Sequence, residues 1–297
     1  MEGKFLKAWS VLSSSHISSV DCSFICQNSG VSSFSDWWKV PDCVRSLRIN
    51  LRLHEVVLRA FPDISKCNLE SLTFENNSCD DLCLPENLPL FPRLKHLTLE
   101  TCCGEISEWE GLTSGGELRV LQLNNAVFGY LSRLSIIQSV AASNPHLTEI
   151  IWDLSMLSVE ANELFLGLAS ISSLRRLTLG ILGCAEDVTD LVVPTDQWKL
   201  ISPVETMKLQ LCTGRVTETF FTILSTCYCN LRHLELKLHK DERTGEDLAC
   251  SNPSLLRLPL LESFTLSSVY SNDWGKLNFT LSTGDCLKEC CSFEFSF

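Results

Sequence analysis

No stretch of about 18 consecutive apolar residues occurs in the 297-residue chain, so the sequence offers no membrane-spanning helix. The opening MEGKFLKAWSVLSSS carries lysines and a few apolar residues, but its longest unbroken apolar run is too short for a secretory h-region. Cationic excess is missing as well. With 24 Lys and Arg against 36 Asp and Glu, the formal charge is −12 and the pI is near 5.0. Nucleic-acid affinity is mostly cation contact with phosphate, and this balance argues against it. Catalytic signatures are absent too: there is no G-x-S-x-G elbow, no G-x-x-x-x-G-K phosphate loop, no H-E-x-x-H and no dinucleotide fingerprint. The six histidines are dispersed, and His96 and His233, which share a strand position in different rungs, have no nucleophile or orienting carboxylate at triad spacing. The expectation is a chain that is not an enzyme, holds no cofactor or metal, and binds neither nucleic acid nor membrane.

What is present is a recurrence. FPRLKHLTLETC, residues 91 to 102, places Leu94, Leu97 and Leu99 at the spacing apolar-x-x-apolar-x-apolar. The spacing returns as VRSLRI from Val44, LESLTF from Leu69, LRVLQL from Leu118 and LTEIIW from Leu147. It returns again as LRRLTL from Leu174, VETMKL from Val204, LRHLEL from Leu231 and LESFTL from Leu261. The first anchors of these nine rungs lie 24 to 30 residues apart, and every anchor is apolar. Between the second and third anchors eight of nine rungs carry a polar residue, Ile151 being the exception. Alternation of this kind is a half-buried strand, one face in a core and the other in solvent.

The segments between strands carry helical periodicity toward the C-terminus. RVTETFFTILSTC steps through Val216, Phe220, Ile223 and Cys227, and YLSRLSIIQSVAAS through Leu131, Leu134, Ile137 and Val140. SVEANELFLGLASI aligns Leu164, Leu168 and Ile171, with Ser158 placed as N-cap and Glu160 in the first turn. Earlier connections such as ENNSCDDLCLPENLPLFP are rich in Pro and Asn and read as irregular or 3₁₀ turns. One strand and one connection cannot bury both apolar faces alone, so the units must stack.

In these rungs the chain resembles leucine-rich repeat proteins over roughly residues 17 to 285. The resemblance implies an α/β solenoid, with a curved parallel β-sheet on the concave face and helices and irregular turns on the convex face. The family's pattern continues to an Asn or Cys three residues past the third anchor, held here by Asn77, Cys102 and Cys212, which the resemblance makes turn residues. Ala126, Leu182 and Val269 depart from it. This mixture resembles the cysteine-containing intracellular repeats of F-box proteins. At the N-terminus, AWSVL followed by ISSVDC is similar to the end of an F-box running into a first strand, and Ile17, Val20 and Cys22 keep the anchor spacing of a tenth rung. The Leu-Pro start and two earlier helices of an F-box are absent. Residues 1 to 16 are therefore read as a capping helix or F-box remnant, with Phe5, Leu6, Trp9 and Leu12 packing on the first rung, and residues 17 to 297 as the repeat domain, about ten repeats with the last partial.

Sixteen cysteines admit three readings. Cys286, Cys290 and Cys291 could imitate the cysteine cap of extracellular repeats. Cys79 and Cys83, or Cys227 and Cys229, lack the second pair a zinc site needs. Without a signal peptide, most of the sixteen are expected to be reduced, packed as small hydrophobes. Asn76-Asn77-Ser78 and Asn278-Phe279-Thr280 match the glycosylation sequon.

These observations lead to a cytoplasmic or nuclear, monomeric, non-catalytic protein-interaction module with a protein partner, in the family's terms the substrate-recognition part of an F-box-type ubiquitin-ligase adaptor. The alternative is an extracellular or immune-receptor-type ligand-binding repeat domain. On the concave face the partner site is expected at Val120 beside Ile151, with Gln122 and Glu149 next to them and Arg176 and Thr178 on the following rung. Glu75, Glu100, Asn124 and Asp153 would form an acidic edge. An apolar centre rimmed by charge is the composition of an interface.

Because helix-in-groove docking needs a whole apolar face and not its last turn, residues 1 to 297 are expected not to copurify with the adaptor that F-boxes bind. Stable copurification in a size-exclusion experiment would refute that expectation.

Overall fold

In the structure, a computed structural model, the residues described are 18–21, 43–50, 68–75, 91–100, 116–124, 130–154, 161–181, 201–212, 218–239, 258–269 and 277–282. The chain forms two compact units, Met1–Leu147 and Thr148–Phe297. The first contains strands β1 (Ser19–Asp21), β2 (Ser46–Asn50), β3 (Ser71–Glu75), β4 (His96–Glu100) and β5 (Val120–Asn124), followed by helix α1 (Tyr130–Ser143). The second contains β6 (Glu149–Leu154), α2 (Ala161–Ala169), β7 (Arg176–Ile181), β8 (Thr206–Cys212), α3 (Glu218–Cys227), β9 (His233–His239), β10 (Ser263–Val269) and β11 (Leu277–Ser282).

In the first unit β1 to β5 pair in sequence order, all parallel, and the register matches anchor to anchor: Val20 with Leu47, Leu47 with Leu72, Leu72 with Leu97 and Leu97 with Leu121. The tenth rung inferred from Val20 is thus a strand of the sheet. In the second unit β6 to β10 are parallel with the same matching, Ile150 with Leu177, Met207, Leu234 and Phe264 in turn. Each unit is a parallel-strand solenoid of leucine-rich-repeat type.

The strands form where the sequence alternates, and burial follows the alternation. In β3, β4 and β5 the second and third anchors are buried and the residues flanking them are not. Val44, Leu69, Leu94 and Leu118 are buried as first anchors in one unit, and Leu174, Val204, Leu231 and Leu261 in the other. Each fully buried aliphatic side chain is worth about 1.5–3 kcal/mol relative to exposure. The apolar rows are therefore what a rung gains from its neighbours. Trp152 fills the third-anchor place in β6 and is buried.

A second, local device starts each strand. Leu94 donates its N–H to Phe91, Leu147 to Asn144, Leu174 to Ile171, Leu231 to Tyr228 and Leu261 to Leu258, at 3.0–3.2 Å. These are four-residue turns ending on the first anchor. Pro92, Pro145 and Pro259 take the second position, where fixed φ favours the turn. Gly116, at φ 72°, turns the chain toward β5 in a region that side-chain-bearing residues avoid.

All three described helices follow β5, where helical periodicity was expected. Ile137 and Val140 of α1, Leu168 of α2 with Ile171 just beyond it, and Ile223 and Cys227 of α3 are buried as that periodicity requires. The side chains of Leu131, Leu134, Leu164 and Phe220, and residues Ser158, Glu160 and Val216, lie outside the described set. So do residues 1 to 16, the Pro- and Asn-rich connections, Asn77, Cys102, Ala126 and Leu182. At Cys212 the strand continues: β8 runs through it, in register with His239, so this cysteine occupies a ladder position instead of a turn. Strand β11 was not foreseen. It pairs antiparallel with β10, Ser263 opposite Ser282, because only residues 270 to 276 separate the two. A parallel return needs a crossover of about a dozen residues or more.

Buried polar groups tie helices to rungs. Asn144, 1% exposed, donates from Nδ2 to the Val140 carbonyl at the end of α1 (2.9 Å) and accepts the Leu118 N–H on Oδ1 (3.3 Å). Tyr228 donates its hydroxyl to the Phe165 carbonyl of α2 (2.5 Å), and the two rings meet edge to face, centroids 6.2 Å apart. Ser202 donates its N–H to the Cys227 carbonyl (2.7 Å) and accepts Asn230 Nδ2 on its own (2.9 Å). No helix among the described residues is long and apolar enough to cross a membrane.

Full burial holds the Tyr228 phenol well above its ordinary range, with the neighbouring Cys227 a lesser cause. The neutral phenol is thus favoured by folding. Its contribution is intact below the unfolded value of about 10 and is lost as pH rises toward the folded value, because the unfolded chain ionises first. Tyr228→Phe should cost about 1 kcal/mol of urea-denaturation stability near neutrality, for the lost hydrogen bond. That difference should shrink above pH about 10. A difference constant across the alkaline range would disprove the linkage.

Candidate functional site

The side chains that alternate away from the core form rows across each sheet, and their alignment starts in the backbone. The carbonyl one residue past each first anchor accepts two N–H groups from the next rung. Ser18 O takes Arg45 and Ser46, Arg45 O takes Glu70 and Ser71, Glu70 O takes Lys95 and His96, and Lys95 O takes Arg119 and Val120, all at 2.7–3.0 Å. The second unit repeats this from Thr148, Arg175, Glu205 and Arg232 at 2.7–3.1 Å. Equivalent side chains of paired strands therefore stand about 4.8 Å apart.

Charged side chains exploit that spacing. Glu70 is held between Arg45 Nη1 (3.1 Å) and Lys95 Nζ (2.9 Å), and the lysine's hydrogen bond is the main reason its carboxyl lies below the usual value. Arg48 donates to Glu75 on the next strand (3.0 Å) and to Glu100 on the strand beyond (2.7 Å). The Glu75 hydrogen bond is the largest cause of its raised pKa, with Glu100 and Asp21 adding to it. In the second unit Arg176 pairs with Glu149 (2.8 Å), Lys208 with Glu235 (2.9 Å) and Arg232 with Glu262. Such half-exposed pairs contribute little to stability, about 0–1 kcal/mol each. Their effect is to fix the charge pattern of the outward face.

Val120 and Gln122 stand on β5 in the first unit, both half-buried on the solvent side, with Val120 opposite His96 and Gln122 opposite Thr98. Gln122 Nε2 donates to Asn124 Oδ1 (3.2 Å). In the second unit the register sets Glu149 opposite Arg176 and Ile151 opposite Thr178. Those four are brought together on β6 and β7. Ile151 and Thr178 are half-buried and Arg176 is exposed. Counted from their first anchors, Val120 belongs to the row before the second anchor and Ile151 to the row after it. Asp153 lies opposite Gly180. A Cβ at Gly180 would stand 2.9 Å from Asp153 Oδ1, so glycine is what lets the carboxylate lean across the neighbouring strand. Asp153 Oδ1 is covered and has no hydrogen-bond partner among the described residues.

His96 is exposed on β4. His233 Nδ1 lies 2.8 Å from Ser263 Oγ on an exposed part of β9 and β10. Among the described residues no group of three or more His, Cys, Asp or Glu side chains is placed to hold a metal ion. The ladder Arg45–Glu70–Lys95 and the bridge from Arg48 to Glu100 were not singled out from the sequence. The signal was there: residues just past the first anchor read Arg45, Glu70, Lys95 and later Arg175, Glu205, Arg232, Glu262, alternating in sign at one strand position. Compared with protein-family models and with curated proteins, the chain matches none.

Proposed function

We propose that the protein is a non-catalytic protein-interaction module of the leucine-rich repeat family, and that the solvent side of its strands is the partner surface. The observation that carries this reading is the register. Equivalent outward side chains of successive rungs align in rows, giving an extended lattice of polar and charged groups with isolated apolar members at Val120 and Ile151. Lattices of this kind recognise polypeptides by summing contacts from many rungs. In family terms the reading is the substrate-recognition part of an F-box-type ubiquitin-ligase adaptor, acting in the cytoplasm or nucleus. Its support is the mixed Asn and Cys positions and the similarity of AWSVL and ISSVDC to the end of an F-box.

Cysteine chemistry separates this from an extracellular ligand-binding repeat domain. Cys227 and Cys229 carry free thiols, and burial raises the Cys227 thiol above its ordinary value, with Cys229 a lesser cause. A poorly ionised thiol is a poor nucleophile for disulfide exchange. Titrating thiols in the denatured, unreduced protein should return all sixteen. A markedly lower count would favour the extracellular alternative.

Affinity capture followed by mass spectrometry should identify the partner. Val120→Glu and Ile151→Lys should leave the circular dichroism spectrum and Tm unchanged, since both side chains lie on the solvent side of their strands. Capture should fall about tenfold or more with each, as loss of a contact of about 2 kcal/mol implies. Unchanged capture would move the site away from this face.

A further inference from the structure

We propose that the outward face of β6 to β9 holds an extended segment of a partner polypeptide through one basic and one acidic side chain, the basic one at Asp153 and the acidic one at Lys237. The proposal rests on the protein-interaction reading and names the partner's chemistry. Histidine aside, β6 to β10 carry the carboxylates Glu149, Asp153 and Glu235 and the cations Arg176, Lys208 and Lys237. Arg176 pairs with Glu149, and Lys208 with Glu235. Asp153 and Lys237 are left over, both half-buried, and neither side chain enters an ion pair or hydrogen bond among the described residues. The register puts the two in one row: Asp153 is opposite Gly180, Gly180 opposite Gln210, and Gln210 opposite Lys237. Three strand spacings of about 4.8 Å hold their backbones about 14 Å apart, too far for them to pair with each other.

The space between them is built to admit a ligand. Gly180 has no side chain, and the Asp153 carboxylate leans over it, with Oδ1 2.9 Å from where a Cβ would stand. That oxygen is covered, yet no donor reaches it. A covered acceptor without a donor costs stability, so folding does not account for the carboxylate's position. Gln210, half-buried on the next strand, also makes no side-chain hydrogen bond among the described residues, and its amide offers both a donor and an acceptor. Two residues before Asp153, Ile151 stands half-buried on the same side of β6. It gives the methylene stem of a long basic side chain an apolar surface.

Charge complementarity selects the occupant. A carboxylate without donors takes a lysine or arginine, and a lysine without acceptors takes a carboxylate, so the ligand must present both signs on one side. Nucleic acid would satisfy Lys237 and be repelled by Asp153, and an all-basic segment would do the reverse. The Asp153 carboxylate lies over β7, two spacings or about 10 Å from β9. In an extended chain, side chains two or four positions apart project to the same side at about 7 or 13 Å, and their flexible stems cover the difference. Side chains three positions apart project to opposite sides and cannot serve both ends. The peptide groups between the charged residues would pass over Gln210.

The test uses the full chain and fluorescent alanine–serine peptides capped at both ends, carrying lysine and glutamate four positions apart, the same two residues three apart, lysine alone, or glutamate alone. By fluorescence anisotropy at low salt the four-apart peptide should bind about fivefold more tightly than each of the others, and the gap should close as salt rises. Asp153→Asn should erase the gain from the peptide's lysine and keep that from its glutamate. Lys237→Gln should do the reverse, a crossed pattern that a change of net charge alone would not produce. Gly180→Ala, whose Cβ would displace the carboxylate, should weaken the lysine's gain. Asp153→Asn and Lys237→Gln should both leave the circular dichroism spectrum and Tm unchanged. A fall in Tm for Asp153→Asn would make the carboxylate a structural group and overturn the proposal, as would equal binding of the four-apart and three-apart peptides, or no binding by any of them. If Val120→Glu lowers partner capture in those cases, the protein-interaction reading stands and only this chemistry is wrong. If Val120→Glu and Ile151→Lys leave capture intact, the interaction reading itself fails.

Discussion

The outward rows are set by one backbone interaction, a carbonyl just past the first anchor that accepts two N–H groups from the following rung. Any residue type can supply a carbonyl, so Ser18, Arg45, Glu70, Lys95, Thr148, Arg175, Glu205 and Arg232 all serve. The contact fixes where a strand begins relative to its neighbour. With that start fixed and a side-chain period of 2, a slip by one residue would send every anchor to solvent. Backbone geometry and anchor burial thus enforce the same register, and the outward side chains inherit it.

This division explains why rungs of different length coexist in a regular ladder within each unit. The offset between paired strands is 27, 25, 25 and 24 residues in the first unit and 27, 30, 27 and 30 in the second, the same as the anchor spacing. Every length difference is absorbed in the connections. Helices α2 and α3 then need specific ties back to the ladder, and Tyr228, whose hydroxyl reaches the Phe165 carbonyl, is one. Its backbone carbonyl also accepts the Leu231 N–H in the turn before β9 (3.0 Å), so helix packing and strand entrance are joined at one residue.

The ladder was legible in the sequence because its determinants are local and repeated. Leu94, Leu97 and Leu99 announce a rung, and eight further copies confirm the period. Even β1 could be read from Val20, although only three residues of it form a strand. Three things could not be read in the same way. The reversal at β11 depends on the seven residues 270 to 276 being too few for a crossover, a fact visible only once the ends of β10 and β11 are known. Asn144 reads as an ordinary turn residue before Pro145, and its burial follows from reaching Leu118 on another rung. The reach of Arg48 over β3 to Glu100 is a relation between three rungs that no single one contains. At the proposed surface, the residue types at Val120, Gln122, Glu149, Ile151, Arg176 and Thr178 were readable as outward-facing, while their pairing, such as Arg176 with Glu149, needed coordinates.

Because the shared carbonyls and buried anchors already fix the fold, the outward rows are nearly free of structural duty. Half-exposed ion pairs contribute about 0–1 kcal/mol each, and alternating signs along a row, as in Arg175, Glu205, Arg232 and Glu262, are enough to avoid like-charge repulsion between adjacent strands. The second unit is arranged in that way. The first is not throughout: Lys95 and Arg119, just before β4 and β5, are like charges at equivalent positions, and Glu75 and Glu100 are directly opposite one another across β3 and β4. Opposed like charges cost stability, and Arg48, placed to bridge both carboxylates, offsets part of that cost. Arg48 on β2 reaches Glu75 on the next strand and Glu100 on the one beyond, so the outward rows are coupled across three rungs and not only between adjacent ones, and a charge change at any of the three alters the surroundings of the other two.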